Sequence, residues 1–325
     1  MSRNLNLNKS KSNKNDEFYT KLCDIEKELG HYRQHLKGKT IYCNCDNPNK
    51  SAFWEYSHKN FSDLGISKLI ATFYDTSNNP FCAEYCGNSD DDINAYTTHK
   101  LSQNGDFRSD ECIELLKDAD IIITNPPFSL FRDFINLVMQ YDKKFLIIGS
   151  KNAISYKEVF PLLKNNSIWL GCNNVSEFIQ PNGTTKKFGN ICWFTNLDHN
   201  RRHDKIIFSK FYSDNEYPKY HNYNAIEVSK LSNIPIDYDG VLGVPLTFFD
   251  YYNPEQFEII GMSSVGDTMD TPVQLGEDFI KRYREQGGTG HYSANMNALG
   301  YFDCTGKAVV PFCRILIKKR TIMLS

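Results

Sequence analysis

The chain has 325 residues, 40% hydrophobic and 23% charged, with a formal net charge of −2. That length allows about two domains and a sizeable core, and the balanced charge excludes a globally basic nucleic-acid binder, so such a partner must be met by a local patch. No apolar run approaches the ~20 residues that span a bilayer, and the ten cysteines read as reduced thiols of a cytoplasmic protein.

The first fifteen residues, MSRNLNLNKSKSNKN, are basic and Asn-rich without an apolar core. They read as a flexible tail rather than a secretory signal. Asp16 opens a helical pattern in which Ile25, Leu29, Tyr32 and Leu36 share one face. A βα alternation follows. TIYCN (40–44) reads as a strand, Ser51 to Leu64 as a helix and KLIATFY (68–74) as a strand. The acidic stretch around Asp90, Asp91 and Asp92 reads as a solvated excursion. A short strand ends near Gly105-Asp106-Phe107, and Ser109 caps a helix through Lys117. ADIIIT (119–124) is a clear strand, followed by a helix from Leu130 to Tyr141. KFLIIGS (144–150), SIWLG (167–171) and ICWFTN (191–196) continue the strands, with a helix from Ser155 to Leu163. Pro181-Asn182-Gly183 signals a hairpin.

This order predicts an α/β fold over residues 16–198: a doubly wound, Rossmann-like parallel sheet with an antiparallel hairpin at its end. Residues 199–325 lose the alternation and form a second, irregular region. Cys43/Cys45 and Cys82/Cys86 lack a second pair at zinc spacing, and His199/His203 lacks a cysteine partner, so no metal is expected.

The most strand-like segment runs into Asn125-Pro126-Pro127-Phe128. Proline has no N–H, and the residue before a proline is held extended. The Pro126 carbonyl can therefore project from the turn, beside the side-chain carbonyl of Asn125. Two adjacent acceptors suit an exocyclic amine, and Phe128 offers a face for a planar ring. An amine on a heteroaromatic ring is a poor nucleophile because its lone pair is delocalised. Accepting both of its hydrogens favours a pyramidal nitrogen whose lone pair is free to attack. The bland reading is a turn that merely ends a strand.

ITNPPF resembles the catalytic corner of amino-group DNA methyltransferases, with Asn first as in the adenine-N6 type. DEFYT (16–20), IYCNCDNP (41–48), GDFRS (105–109), YDKKFLIIG (141–149), YPKY (217–220) and GVLGVPLTFFDYYNPEQFEIIG (240–261) together resemble the EcoRI-type adenine-specific DNA methyltransferases. The resemblance implies a methyltransferase sheet that binds S-adenosylmethionine (AdoMet) and a C-terminal target-recognition region over 199–325. Tyr19 and Thr20 match the segment that holds the methionine end of AdoMet. Asp46 matches the acidic residue near its amino group. Asp106 matches the acceptor of the cofactor's adenine amine, and Phe107 could flank that ring. Asp75 is placed for ribose hydroxyls, with Tyr74 an equal candidate for that pocket. Each aspartate has a bland alternative as a helix cap or loop charge. One departure stands out: the turn Cys43-Asn44-Cys45-Asp46-Asn47-Pro48 has none of the glycines usual in such enzymes.

An adenine in a duplex must be extruded to reach such a site. Arg201, Arg202, Lys205, Lys210 and Lys219 are interleaved with Phe208, Phe211, Tyr212, Tyr217, Tyr220 and Tyr223, a pattern that suits phosphate contact and base stacking, or equally a solvated face over tyrosines. Lys318-Lys319-Arg320 and the basic tail offer further phosphate contacts or spare charge. The expectation is a monomeric, site-specific adenine-N6 methyltransferase acting on double-stranded DNA, with a cognate restriction endonuclease acting separately. The alternatives are cytosine-N4 or protein-glutamine methylation, or a catalytically silent DNA-binding relative.

Overall fold

The computed structural model describes residues 19–75, 79–88, 92–180, 182–263 and 273–320; the basic tail, Asp16, Asp90, Asp91 and Pro181 lie outside them. The chain divides into two units. One holds the residues up to Val159 together with Ser167–His199, and the other holds Phe160–Asn166 and the residues from Asn200 onward.

The first unit contains β1 (Tyr19–Thr20), α1 (Leu22–Leu29), α2 (Arg33–Leu36), β2 (Thr40–Cys43), α3 (Ala52–Lys59), α4 (Phe61–Leu64) and β3 (Lys68–Ala71). It continues with β4 (Phe81–Tyr85), β5 (Thr97–Lys100), α5 (Asp110–Asp118), β6 (Ile121–Thr124), α6 (Phe131–Gln140) and β7 (Lys144–Ser150). Its strands form one sheet of order β1-β8-β9-β7-β6-β2-β3-β4-β5, where β8 is Trp169–Ile179 and β9 is Thr185–Thr195. The central strands β7, β6, β2 and β3 are parallel. All four residues of β6 are buried, as expected of a parallel strand covered on both faces. Helix α6 shows the covering pattern, with Phe131, Phe134, Ile135 and Val138 buried along one stripe.

Several expected boundaries shift. The segment from Ser51 to Leu64 breaks into α3 and α4 at Asn60. The stretch taken for a solvated excursion is flanked by β4 and β5, which pair antiparallel and extend the sheet beyond β3. The short strand expected to end near Gly105–Phe107 ends earlier, β5 closing at Lys100, and a turn begins at Phe107. The pair β8–β9 is antiparallel, and β1 adds to its outer side.

Helix α1 is tied to that outer side by a buried carboxylate. Glu28 accepts the backbone amides of Cys172 and Asn173 at 2.7 and 2.8 Å, the Asn173 side-chain amide at 2.8 Å and the Tyr32 hydroxyl at 2.9 Å. Burial pushes its pKa up against those donors. The donors lie where β8 breaks register between Leu170 and Asn174, so Glu28 satisfies amides that the ladder leaves open.

The second unit is more regular than its sequence implies. It contains α7 (Phe160–Lys164) and a four-stranded sheet of β10 (Ala225–Glu227), β11 (Val241–Pro245), β15 (Arg314–Lys319) and β12 (Phe257–Ser263) in that order. The strands β13 (Tyr301–Phe302) and β14 (Ala308–Val309) pair separately, and α8 spans Glu277–Glu285. Glu227 is buried and receives Arg314 through Nη2 at 2.7 Å and the Tyr220 hydroxyl. A Cβ at Gly243 would lie 2.2 Å from that hydroxyl. The YPKY and GVLGVP segments thus meet in packing. No helix of the described residues is long and apolar enough to cross a membrane.

Candidate active site

Strands β2, β3 and β6 run parallel and end together at Cys43, Ala71 and Thr124. Ligands of such sheets bind beyond these carboxyl ends, and Asp46, Asp75 and Asn125 follow them directly. Asn125, Pro127 and Phe128 are half-buried, and Pro126 is buried. The Pro127 carbonyl accepts Leu130 N–H at 2.9 Å to start a 3₁₀ turn. Among the described residues no backbone donor meets the Pro126 carbonyl. Phe128 and Phe178 pack edge to face with ring centroids 6.1 Å apart, and Phe178 is the ladder partner of Thr20. Tyr19 and Thr20 are thereby brought to the Phe128 side of the corner.

Asp46 is buried at 7% exposure. Its amide donates to the Thr72 carbonyl at 2.9 Å. Its carboxylate accepts the Ser51 hydroxyl at 2.7 Å, the Thr124 hydroxyl and the Asn125 backbone N–H. Ser51 is also the N-cap of α3, accepting the amides of Phe53 and Trp54 at 3.1 and 3.3 Å. Desolvation dominates over these bonds and pushes the Asp46 pKa up to about 6. Burial likewise raises the thiols of Cys43 and Cys45. Among the described residues positive φ occurs outside glycine at Asp142 and Asn166 alone. The 43–48 turn therefore has no backbone angle that demands glycine.

Close backbone approach occurs instead at Gly105. Its φ is +73°, and a Cβ there would lie 2.1 Å from the Phe73 carbonyl oxygen. This contact joins two loops, for Asp75 N–H donates to the Asn104 carbonyl at 2.9 Å and Asp106 N–H to the Asn104 side chain at 3.2 Å. Asp75 and Asp106 are therefore neighbours past β3. Arg108 grips the Asp106 carboxylate through Nε at 2.9 Å and Nη2 at 2.7 Å, and these bonds lower its pKa. A carboxylate has about four acceptor positions, so Asp106 keeps capacity for another donor. Phe107 is buried against Phe134, ring centroids 5.1 Å apart, so it is a core ring rather than an open face. Tyr74 is 55% exposed.

Two further polar atoms point to a ligand. Thr20 Oγ1 and Asn44 Oδ1 are buried without a protein partner among the described residues, at the β1 and β2 ends of this region. A hydroxyl and an amide carbonyl suit the carboxylate and ammonium of an amino acid moiety. Asn44 escapes sequence reasoning, although the first polar residue after a buried strand is a signal. Thr124 and Ser51 also escape it, because their bonds to Asp46 are made only in the fold.

The basic residues of the second unit are unequal. Arg201 lies over the Tyr251 ring at 5.2 Å, and both line an open groove of about 420 Å³ with Asp204, Lys205, Ile206, Leu231 and Ser232. Arg202 donates to the Asn166 side chain. Lys205 and Lys210 are exposed. Lys219 is already paired with Asp214 at 2.9 Å. Tyr217 and Tyr220 are buried and serve the core, while Phe211 is 67% exposed.

A family model described as adenine-specific methyltransferase EcoRI matches residues 6–320. The chain is 45% identical over 302 residues to the type II methyltransferase M.EcoRI of Escherichia coli, covering 82% of this chain and 92% of that protein. It is 39% identical over 287 residues to the type II methyltransferase M.MgeORF184P of Mycoplasma genitalium, covering 82% and 89%. It is 37% identical over 287 residues to the type II methyltransferase M.MpnI of Mycoplasma pneumoniae, covering 82% and 88%. No solved structure matches the chain.

The raised Asp46 pKa makes a linkage prediction. A carboxyl group whose folded pKa exceeds its unfolded value contributes stability that is full below about pH 4 and lost as pH rises through about 6. Asp46→Asn removes that titration. The stability of Asp46→Asn minus that of the wild type should rise between pH 4 and 6, by on the order of 3 kcal/mol, and stay level above. Urea unfolding at stepped pH measures it; a difference independent of pH refutes the shift.

Proposed function

The chain belongs to the EcoRI-type adenine-specific methyltransferase family, and from that membership we propose that it transfers a methyl group from AdoMet to adenine N6 in double-stranded DNA, at one short sequence, as the modification enzyme of a restriction-modification pair. The observation that carries the chemistry is the Asn125–Phe128 corner, whose Pro126 carbonyl meets no backbone donor among the described residues. Asn125 Oδ1 and the Pro126 carbonyl accept the two amine hydrogens, drawing the lone pair out of conjugation. That interaction strengthens as the nitrogen becomes tetrahedral, so it favours the transition state over the ground state. The accepted hydrogens become more acidic as the N–C bond forms and the sulfur–methyl bond breaks to leave a neutral thioether; one is then lost to solvent, so no strong base is needed to start. Phe128 stacks on the extruded adenine.

The orphaned Thr20 and Asn44 atoms fit the methionine end of AdoMet, with Tyr19 beside them, and the joined loops of Asp75 and Asp106 fit its ribose and adenine. When bound, AdoMet supplies an electrophilic methyl group on a sulfonium. Arg201 and Lys205 neutralise phosphates of the duplex at their groove, and Lys210 adds a further contact. Arg202 and Lys219 would exchange their Asn166 and Asp214 partners for a phosphate. The second unit reads the target sequence, and the base flips to reach the corner.

Asn125→Ala should lower methyl transfer by about 10²–10³-fold, the cost of losing one preorganised transition-state interaction, with AdoMet binding retained. Tritiated-methyl transfer to duplex DNA beside equilibrium dialysis measures both, and near-normal transfer would make the corner a mere turn. The double variant Arg201→Ala, Lys205→Ala should reduce the slope of log affinity against log salt by roughly 0.9 for each phosphate no longer neutralised. An unchanged slope would return both residues to spare surface charge.

A further inference from the structure

Asp46 lies in the loop that the family resemblance assigns to the cofactor's ammonium, yet its carboxylate already accepts three protein donors. We propose that Asp46 is a positioning residue for the Asn125–Phe128 corner, holding the Thr124 hydroxyl and the Asn125 amide so that the two carbonyls face the target amine. This rests on the methyl-transfer reading above.

The prolines set the constraint. Pro126 and Pro127 have no N–H, so between Thr124 and Phe128 the amide of Asn125 is the only backbone donor able to anchor the turn. That donor goes to Asp46. The Thr124 hydroxyl goes to the same carboxylate, so two consecutive residues at the β6 end are bound to one group.

Asp46 is itself fixed from other elements. The Thr72 carbonyl past β3 receives the Asp46 amide at 2.9 Å. The Thr72 hydroxyl and the Tyr42 hydroxyl of β2 are 2.7 Å apart. Ser51 donates to the carboxylate at 2.7 Å while capping α3. Among these attachments the 125–128 turn is the segment with no ladder or helix of its own before the 3₁₀ turn begins. The node therefore transmits a rigid frame to the turn.

Among the described residues the titratable groups facing Asp46 are the Cys43 and Cys45 thiols of its own loop, which burial keeps protonated. The groups offered by α3, β3 and β6 are Ser51, Thr72 and Thr124, which do not titrate. Protonation of Asp46 itself would leave a neutral, weaker acceptor for the Asn125 amide.

The test is single-turnover methyl transfer at saturating AdoMet and duplex DNA, with AdoMet dissociation constants measured separately. Thr124→Val should lower the single-turnover rate about tenfold or more, with AdoMet affinity within about twofold of wild type. Thr124→Ser should restore the rate. The wild-type rate should fall as pH drops through about 6, and Asp46→Asn should be slow with that limb absent. The proposal is overturned if Thr124→Val transfers at the wild-type rate. It is also overturned if Asp46→Asn keeps the saturated rate while losing about tenfold or more in AdoMet affinity, for Asp46 would then be a cofactor ligand. A wild-type chain that transfers no methyl group overturns the parent reading as well, and measuring it first separates the two failures.

Discussion

One buried carboxylate organises the end of the sheet where the chemistry is proposed. Asp46 gathers a hydroxyl from the α3 cap, a hydroxyl from the last residue of β6 and the amide of Asn125, while its own amide reaches the loop past β3. A desolvated charge is costly unless its lone pairs are met by donors, and here three donors offset part of a cost that still raises the Asp46 pKa. Each donor is thereby drawn to a common point, so three strands and a helix end in register. Without such a node the one backbone amide of a turn containing two prolines would lose its acceptor.

The turn between β2 and α3 reaches the same end by an unusual route. Enzymes of this kind commonly use glycines there to let the backbone approach the cofactor. In this chain residues 43–48 have no positive φ, and the glycine that a close approach requires is Gly105, packed on the Phe73 carbonyl of the neighbouring loop. Small buried side chains at Cys43 and Asn44 line the turn instead, and Asn44 presents an acceptor that the protein leaves open. In the proposed assignment, the amide carbonyl of Asn44 meets the donor's ammonium group, while the nearby carboxylate positions the Asn125–Phe128 turn.

The core of the first unit was legible because its signals are strong: β6 is apolar on both faces, α6 repeats its buried residues at helical spacing, and NPPF breaks the ladder abruptly. What stayed hidden depends on partners distant in sequence. Strand β5 is Thr-Thr-His-Lys, wholly exposed at the sheet edge, and carries no alternation to detect. The separation of Tyr217 and Tyr220 from exposed Phe211 requires knowing that Gly243 leaves space for the Tyr220 hydroxyl. Asp106 and Lys219 resembled open charges, yet Arg108 and Asp214 already engage them. Asp46 was visible as an acidic residue past β2; that Thr124, 78 positions away, would share its carboxylate was not.

In the proposed reaction this corner delivers a methyl group to adenine N6 in duplex DNA at one sequence. The most direct measurement is modification-sensitive sequencing of DNA from a host that lacks adenine methylation and expresses this chain. The expected result is N6-methyladenine at nearly every copy of one short sequence and at no other. Unmodified DNA, or methyl groups confined to cytosine N4, would contradict it.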